Sequence, residues 1–302
     1  MAKTLIVILG PTGVGKTKTA IEVARFFRTE IISADSRQVY KELSIGTAVP
    51  SVSELEQARH HFIHAFSIRD YYNASRFETD VLNLLEELFQ QKSMVLMVGG
   101  SMLYLDAVCK GIDDLPTVDI ALRESLIRDL ETEGLENMRL RLKKLDPDYY
   151  RQADLKNPKR ILHALEICLM TGKPYSSLRS NTVKKRPFRI IKAGLNCSRE
   201  ALYDRINKRV DKMVEDGLIE EARKVYPLKH LNALDTVGYK ELFAHFDGKI
   251  TRDEAIQQIK NNTRKYARKQ LTWFRKDKSV RWFEPGEENK VIHYIKSEIE
   301  NG

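Results

Sequence analysis

Residues 10–17 read Gly10-Pro11-Thr12-Gly13-Val14-Gly15-Lys16-Thr17, a match to the phosphate-binding pattern G-x-x-x-x-G-K-T. Such a loop works only between a buried strand and a helix, so it constrains its surroundings as well as itself. Both neighbours are present. Residues 5–9 form a continuous apolar run, as a strand buried on both faces requires. Ala20, Ile21, Ala24 and Phe27 then recur at helical spacing. Glycines let backbone N–H groups turn toward an anion, and the following helix presents its positive N-terminal end to it. Lys16 adds a mobile positive charge, and the Thr17 hydroxyl is placed to hold Mg²⁺. The loop is therefore expected to bind a diphosphate group.

The rest of the chain alternates in the same way. Residues 31–33 read as a second short strand, ending at Asp35. Ser75 and Glu78 have the spacing of a capping box, opening a helix with Val81, Leu84, Leu85 and Leu88 on its apolar face. Residues 94–98 form another buried strand, stopped by Gly99 and Gly100. Strands alternating with helices predict a mostly parallel sheet in an α/β domain. From about Asp113 to about Lys185 the periods are all helical, with Leu122, Leu126 and Leu130 on one helix and Ile161, Leu162, Leu165 and Leu169 on another. A strand pattern resumes at residues 188–195. Ser198 can cap a helix through Leu202, Ile206, Val210 and Met213, and Thr251 with Glu254 opens a long basic helix. The expected organisation is an α/β core, residues 1–113 plus 187–302, interrupted by an all-helical insertion, residues 114–186.

Charge narrows the partner. The formal net charge is +9, and between Lys260 and Arg281 nine basic residues face one acid, Asp277, with Tyr266, Trp273 and Phe274 interleaved. Clustering of this kind favours nucleic acid. No apolar run is long enough for a membrane span. The chain enters its first strand directly, so no secretory leader is expected. Cys109, Cys168 and Cys197 are far apart and have neither metal-ligand nor disulfide spacing, which suits a reducing, cytoplasmic setting. The spacing of His60, His61 and His64 fits two metal ligands on a helix, but no cysteine or acid cluster completes a site, so packing or polar contacts are expected there.

The loop does not name its cargo. Hydrolysis of a nucleoside triphosphate is the default, and it needs a carboxylate at the end of a hydrophobic strand. The strand at residues 94–98 runs instead into Gly99-Gly100-Ser101, and Asp106 lies farther on, in a helix. The nearest well-placed acid is Asp35. That arrangement is compatible with a small-molecule kinase, and the basic cluster with an RNA-binding protein.

Taken together, GPTGVGKT at residues 10–17, ISADSRQVY at 32–40, IGTA at 45–48, VGGSMLY at 98–104 and QLTWFR at 270–275 resemble the tRNA dimethylallyltransferases, also called tRNA isopentenyltransferases. The resemblance covers essentially the whole chain. It implies a P-loop NTPase-like core and transfer of a dimethylallyl group from dimethylallyl diphosphate to N6 of the adenosine at tRNA position 37. Diphosphate would leave, held by Gly10, Pro11, Thr12, Gly13, Val14, Gly15, Lys16 and Thr17, with Arg205 beside it. Mg²⁺ would sit on Thr17 and the diphosphate. Asp35 would be the general base, and Ser101, in the place of a family threonine, would hydrogen-bond the donor near its bridging oxygen. The tRNA contacts implied are Asp35, Ser36, Arg37, Gln38, Ser101, Arg123, Lys159, Arg160, Ile161, Leu162, His163, Thr236, Val237, Gly238, Tyr239, Lys240 and Glu241. Lys240-Glu241 replaces the common Arg-Gln, Val49 stands where a lysine is common, and His64 where an aspartate often stands. The resemblance further implies a monomeric, cytoplasmic enzyme that grips a tRNA anticodon stem-loop.

Overall fold

The computed structural model describes residues 3–113, 115–116, 119–179 and 182–301. Asp114, the expected start of the insertion, lies outside them. Two compact units are present, residues 1–110 with 185–302 and residues 111–184.

The first unit is built on six strands: β1 (Thr4–Leu9), β2 (Ile31–Ala34), β3 (His60–His61), β4 (Met94–Gly99), β5 (Arg189–Leu195) and β6 (Val280–Phe283). Its helices are α1 (Lys16–Phe27), α2 (Val52–Gln57), α3 (Ala74–Gln91) and α4 (Met102–Lys110). The second unit holds α5 (Ile120–Leu145), α6 (Pro147–Gln152) and α7 (Pro158–Thr171). The first then continues with α8 (Arg199–Glu215), α9 (Leu218–Val225), α10 (Tyr239–Phe246), α11 (Arg252–Phe274) and α12 (Glu288–Glu300).

All strand pairs are parallel, in the order β3-β2-β4-β1-β5-β6. Strand alternation explains the two cores. Leu5, Val7 and Leu9 point to one face with Val95 and Met97, where Phe77, Val81 and Leu85 of α3 and Ile259 and Phe274 of α11 cover them. Ile6 and Ile8 point to the other, under Ala20, Ile21 and Ala24 of α1 and Val291 and Ile295 of α12. Burial on both faces is why these strands read as unbroken apolar runs. The carboxyl ends of β1, β2 and β4 come out along one edge, where open α/β sheets bind their ligands. Among the described residues no helix is long and apolar enough to cross a membrane.

Several elements depart from the sequence reading. The cap of α3 is Asn73, whose side chain accepts from Arg76 N, and Ser75 lies inside the helix. Glu78 is turned inward, 2.6 Å from Arg186 Nη2. The basic helix ends at Phe274, before the last residues of the basic cluster. Asp277 stops it: its carboxylate accepts from Ser279 N at 3.0 Å and from Lys192 Nζ of β5 at 2.6 Å, and β6 then pairs with β5. His60 and His61 form the edge strand β3, not a helix. They make polar contacts, His61 with Glu30 at 2.7 Å and His60 with Ala58 O at 2.7 Å, while His64 meets Ser44 Oγ at 3.2 Å.

The insertion unit has its own core of Leu126, Met138, Leu142, Tyr149, Ile161, Ala164 and Leu165. Its long helix α5 is broken at Gly134, whose backbone is non-helical. Leu169, expected on the apolar face of α7, is 42% exposed. Asp146 is fully buried and joins α6 to the turn after α7, accepting from Tyr149 N at 2.8 Å and Ser176 N at 2.6 Å.

Arg186 stands where the chain re-enters the first unit. Its guanidinium donates to Val108 O at 2.8 Å, Ala107 O at 2.6 Å and Glu78, with both side chains buried. Arg186→Met removes the buried guanidinium that serves Glu78, Ala107 O and Val108 O, and breaking a buried ion pair by removing one partner costs about 3–5 kcal/mol. Urea unfolding of the variant is expected to show that loss, and an unchanged midpoint would refute it.

Candidate active site at the carboxyl edge of the sheet

The P-loop leaves β1 and enters α1 through Gly15, whose φ of 101° is left-handed and open to glycine without strain. Among the described residues, the N–H groups of Gly13, Gly15, Lys16 and Thr17 donate to no protein acceptor. They are the orphan donors of a helix start, aimed where an anion binds. The Lys16 ammonium folds back on the loop, donating to Gly10 O at 3.1 Å and Pro11 O at 2.9 Å. Burial pulls its pKa down to about 8, against the opposing attraction of Asp35.

Two arginines on one face of α8 reach the same loop. Arg205 Nη1 donates to Val14 O at 3.1 Å. Arg209, one turn on, donates from Nη2 to Thr12 Oγ1 at 2.7 Å, and its Nε is buried with no partner. Burial also lowers the Arg209 pKa, with Asp35 opposing. A buried N–H of a cation without an acceptor is costly unless a ligand supplies one. Arg209 was missed in the sequence; its signal was the i, i+4 spacing from Arg205.

Asp35 ends β2. Its Oδ1 closes a turn by accepting from Arg37 N at 2.9 Å and Gln38 N at 3.4 Å, so the acid does serve its own backbone. Its Oδ2 has no partner among the described residues. Ser101, at the end of β4, is drawn to this turn. Its N–H donates to Ala34 O at 3.3 Å, and its hydroxyl accepts from Ser36 N at 2.8 Å and donates to Ser36 Oγ at 3.2 Å. The phenol of Tyr266 on α11 lies within electrostatic reach of Asp35, Arg37 and Ser101. Burial, then Asp35, raises that phenol to about 12, with Ser101 and Arg37 opposing. Tyr266 entered the sequence reading only as part of a basic cluster. Asp106, the other acid near β4, is committed elsewhere, to Lys110 at 2.8 Å and Trp273 Nε1 at 2.8 Å.

The DSRQ turn also holds the neighbouring loop. Gln38 Nε2 donates to Thr47 O at 3.2 Å and Ala48 O at 2.9 Å. Glu221 accepts from the N–H groups of Ser44, Ile45 and Gly46 and from the hydroxyl of Tyr239 at 2.6 Å. Tyr239 is wholly buried and Glu241 is 5% exposed, accepting from Gly238 N and Asn262. These two side chains support the segment from inside and present no surface to a macromolecule. Thr236 and Val237 are partly exposed, Gly238 is buried, and Lys240 is exposed and pairs with Asp235. In the insertion unit Ile161 is fully buried and belongs to the core. Arg123 pairs with buried Glu166 at 2.6 Å, with His163 at 3.7 Å from the same oxygen. Leu162 is partly buried, and Lys159 and Arg160 are exposed at the start of α7.

A family model described as IPP transferase matches residues 38–277. The chain is 55% identical over 298 residues to a tRNA dimethylallyltransferase 1 of Bacteroides fragilis, covering 99% of each. The crystal structure of a full-length tRNA isopentenylpyrophosphate transferase from Bacillus halodurans superposes with a TM-score of 0.73 at 34% identity, over 99% of this chain and 97% of that one. A eukaryotic dimethylallyltransferase acting on tRNA gives a TM-score of 0.73 at 28% identity, over 90% of this chain and 70% of that one. This chain belongs to the IPP transferase family. The α/β core is accordingly the P-loop NTPase-like fold of these transferases, and the P-loop lies just ahead of the matched segment.

Inorganic diphosphate serves as a probe of the cradle. Its affinity is expected to fall as pH rises through about 8, where free Lys16 loses its proton. Lys16→Met should flatten that dependence, and Arg209→Met should weaken binding about 10- to 100-fold, the worth of hydrogen bonds to a charged group. Calorimetric titration reads both. A flat profile in the parent, or full affinity without Arg209, would overturn these assignments.

Proposed function

We propose that this chain transfers the dimethylallyl group of dimethylallyl diphosphate to N6 of the adenosine at tRNA position 37, beside the anticodon, releasing diphosphate. The observation that carries the reading is the meeting, at one sheet edge, of orphan N–H donors, three cations and a carboxylate with a free oxygen.

Each group has a task in this chemistry. The N6 lone pair attacks C1 of the donor, the bond from C1 to the bridging oxygen breaks, and diphosphate carries away the electron pair. The N6 proton passes to Asp35 Oδ2. An adenine amine is a weak nucleophile, so a positioned base contributes substantially. Lys16, Arg205, Arg209 and the loop N–H groups stabilise charge growing on the leaving group, the electrostatic work that preorganised donors do best. Ser101, turned from Ser36 toward the donor, hydrogen-bonds near the bridging oxygen.

Mg²⁺ fits this site through the donor set. Among the described residues no three His, Cys, Asp or Glu side chains form a metal cluster, and the Thr17 hydroxyl is uncommitted. Mg²⁺ takes few protein ligands and completes its shell with substrate phosphate and water. Held by Thr17 and the diphosphate, it would offset charge on the leaving group.

The target base must leave its stack, at a cost of a few kcal/mol. Exposed Lys265, Arg268 and Lys269 on α11, with Lys159 and Arg160 on α7, supply phosphate contacts for the stem-loop. The reading has a monomer working in a reducing cytoplasm, in line with free Cys109, Cys168 and Cys197.

Purified protein with Mg²⁺, labelled dimethylallyl diphosphate and unmodified tRNA should transfer label to tRNA and not to AMP. Label on AMP alone, or ATP turnover without transfer, would sink the proposal. Asp35→Asn is expected to lower kcat about 10²- to 10⁴-fold while tRNA affinity stays within about twofold. Near-normal turnover would remove Asp35 from the base role. Chelation should abolish transfer and Mg²⁺ restore it, and activity unaffected by chelation would exclude the ion.

A further inference from the structure

α11 buries a stripe of Ala255, Ile259, Thr263, Ala267, Gln270 and Phe274. Gln270 is the amide in that stripe, 2% exposed, and a buried amide must find partners or destabilise the fold. It finds two, on two different catalytic segments. Its Oε1 accepts from the N–H of Thr12 at 2.9 Å, within the P-loop. Its Nε2 donates to Gly100 O at 2.7 Å, next to Ser101. A glutamine is suited to both, because one planar group offers an acceptor and a donor.

We propose that Gln270 is a positioning residue, which sets the distance between the diphosphate cradle and the Ser101 hydroxyl. The inference rests on the reading that the P-loop holds the donor diphosphate. Thr12 N–H is the P-loop donor that Gln270 withdraws from the anion. Gly13, Gly15, Lys16 and Thr17 keep theirs. The cradle therefore has a fixed side, tied to α11, and an open side for the ligand. On the other bond, Gly100 is held so closely that a Cβ there would stand 2.5 Å from Gln270 Nε2, against 3.4 Å from Gly10 O and 3.5 Å from Lys16 Nζ. Its φ carries no left-handed strain, so the atom that a side chain at 100 would first displace is the amide nitrogen of Gln270. One helix face thus grips both the loop that holds the leaving group and the loop whose hydroxyl addresses it.

The test is steady-state kinetics with donor and tRNA varied separately. Gln270→Met keeps length and removes both hydrogen bonds. It is expected to raise KM for dimethylallyl diphosphate and lower kcat about 10- to 100-fold, as misplacement by about an ångström does. KM for tRNA should stay within about twofold. Gly100→Ala should cause a similar loss alone, but add less than about twofold in a Gln270→Ala background, because the obstructing atom is gone. A Gln270→Met enzyme with parental kcat and donor KM, or a Gly100→Ala penalty independent of residue 270, would overturn the proposal.

Amide exchange on the unmodified protein tests it without a variant. Thr12 N–H should be protected before any ligand is added, whereas Gly13 and Gly15 become protected only with inorganic diphosphate. Thr12 exchanging as fast as Gly13 without ligand would refute the role of Gln270. Gly13 and Gly15 indifferent to diphosphate would instead refute the P-loop reading, leaving the Gln270 bond to Thr12 standing.

Discussion

The ammonium of Lys16 rests on two carbonyls of its own loop, Arg209 leaves a buried Nε without an acceptor, and Arg205 holds a third carbonyl of that loop. Facing them is Asp35, half of whose carboxylate is spent on its own turn. Burial disfavours charge on both Lys16 and Arg209, yet the fold keeps them there. Concentrating positive charge in a site that is poor in water is costly in the free protein. In the function proposed, it would let the site meet a highly charged anion with dipoles already aligned and without reorganisation at the moment of reaction.

The rest of the first unit holds this arrangement in place. The parallel sheet brings the ends of β1, β2 and β4 to one edge, and side chains from distant segments fix the loops that leave it. Gln270 ties β1's loop to β4's, Ser101 ties β4's to β2's, and Gln38 ties β2's to residues 47–48. Glu221 gathers three successive N–H groups at residues 44–46, a carboxylate serving as the internal anion of a backbone nest. Where the chain returns from the insertion, Arg186 caps carbonyls at the end of α4 and neutralises Glu78. None of these fasteners touches bulk water freely, which is why geometry at the edge is set by the interior.

How much of this was legible depends on the range of the interaction. The P-loop, the strands at residues 5–9, 31–33 and 94–98, and the caps at Ser198 and Thr251 are local, and each was readable from a few neighbouring residues. The cap at Ser75 misled because Glu78 had a better partner 108 residues away. The strand β6 was hidden because Val280–Phe283 is short and becomes a strand by pairing with β5. Ile161, Tyr239 and Glu241 sit inside motifs that resemble tRNA contacts, but their side chains face the core. A motif reports that a segment matters and is silent on which of its residues point outward.

The sequence by itself determined the P-loop, the parallel α/β class, the helical insertion and the family, because these rest on short patterns of glycine, apolar periodicity and charge. Tertiary structure alone decided that Arg209, Gln270 and Tyr266 join Gly10, Lys16, Asp35 and Ser101. Arg209 lies 197 residues from its partner Thr12, and Gln270 lies 258 from the same residue and 170 from Gly100. No local rule spans such separations. The sheet order and the packing of α8 and α11 bring those side chains within hydrogen-bonding reach, and burial then obliges each polar atom to find a partner or await one.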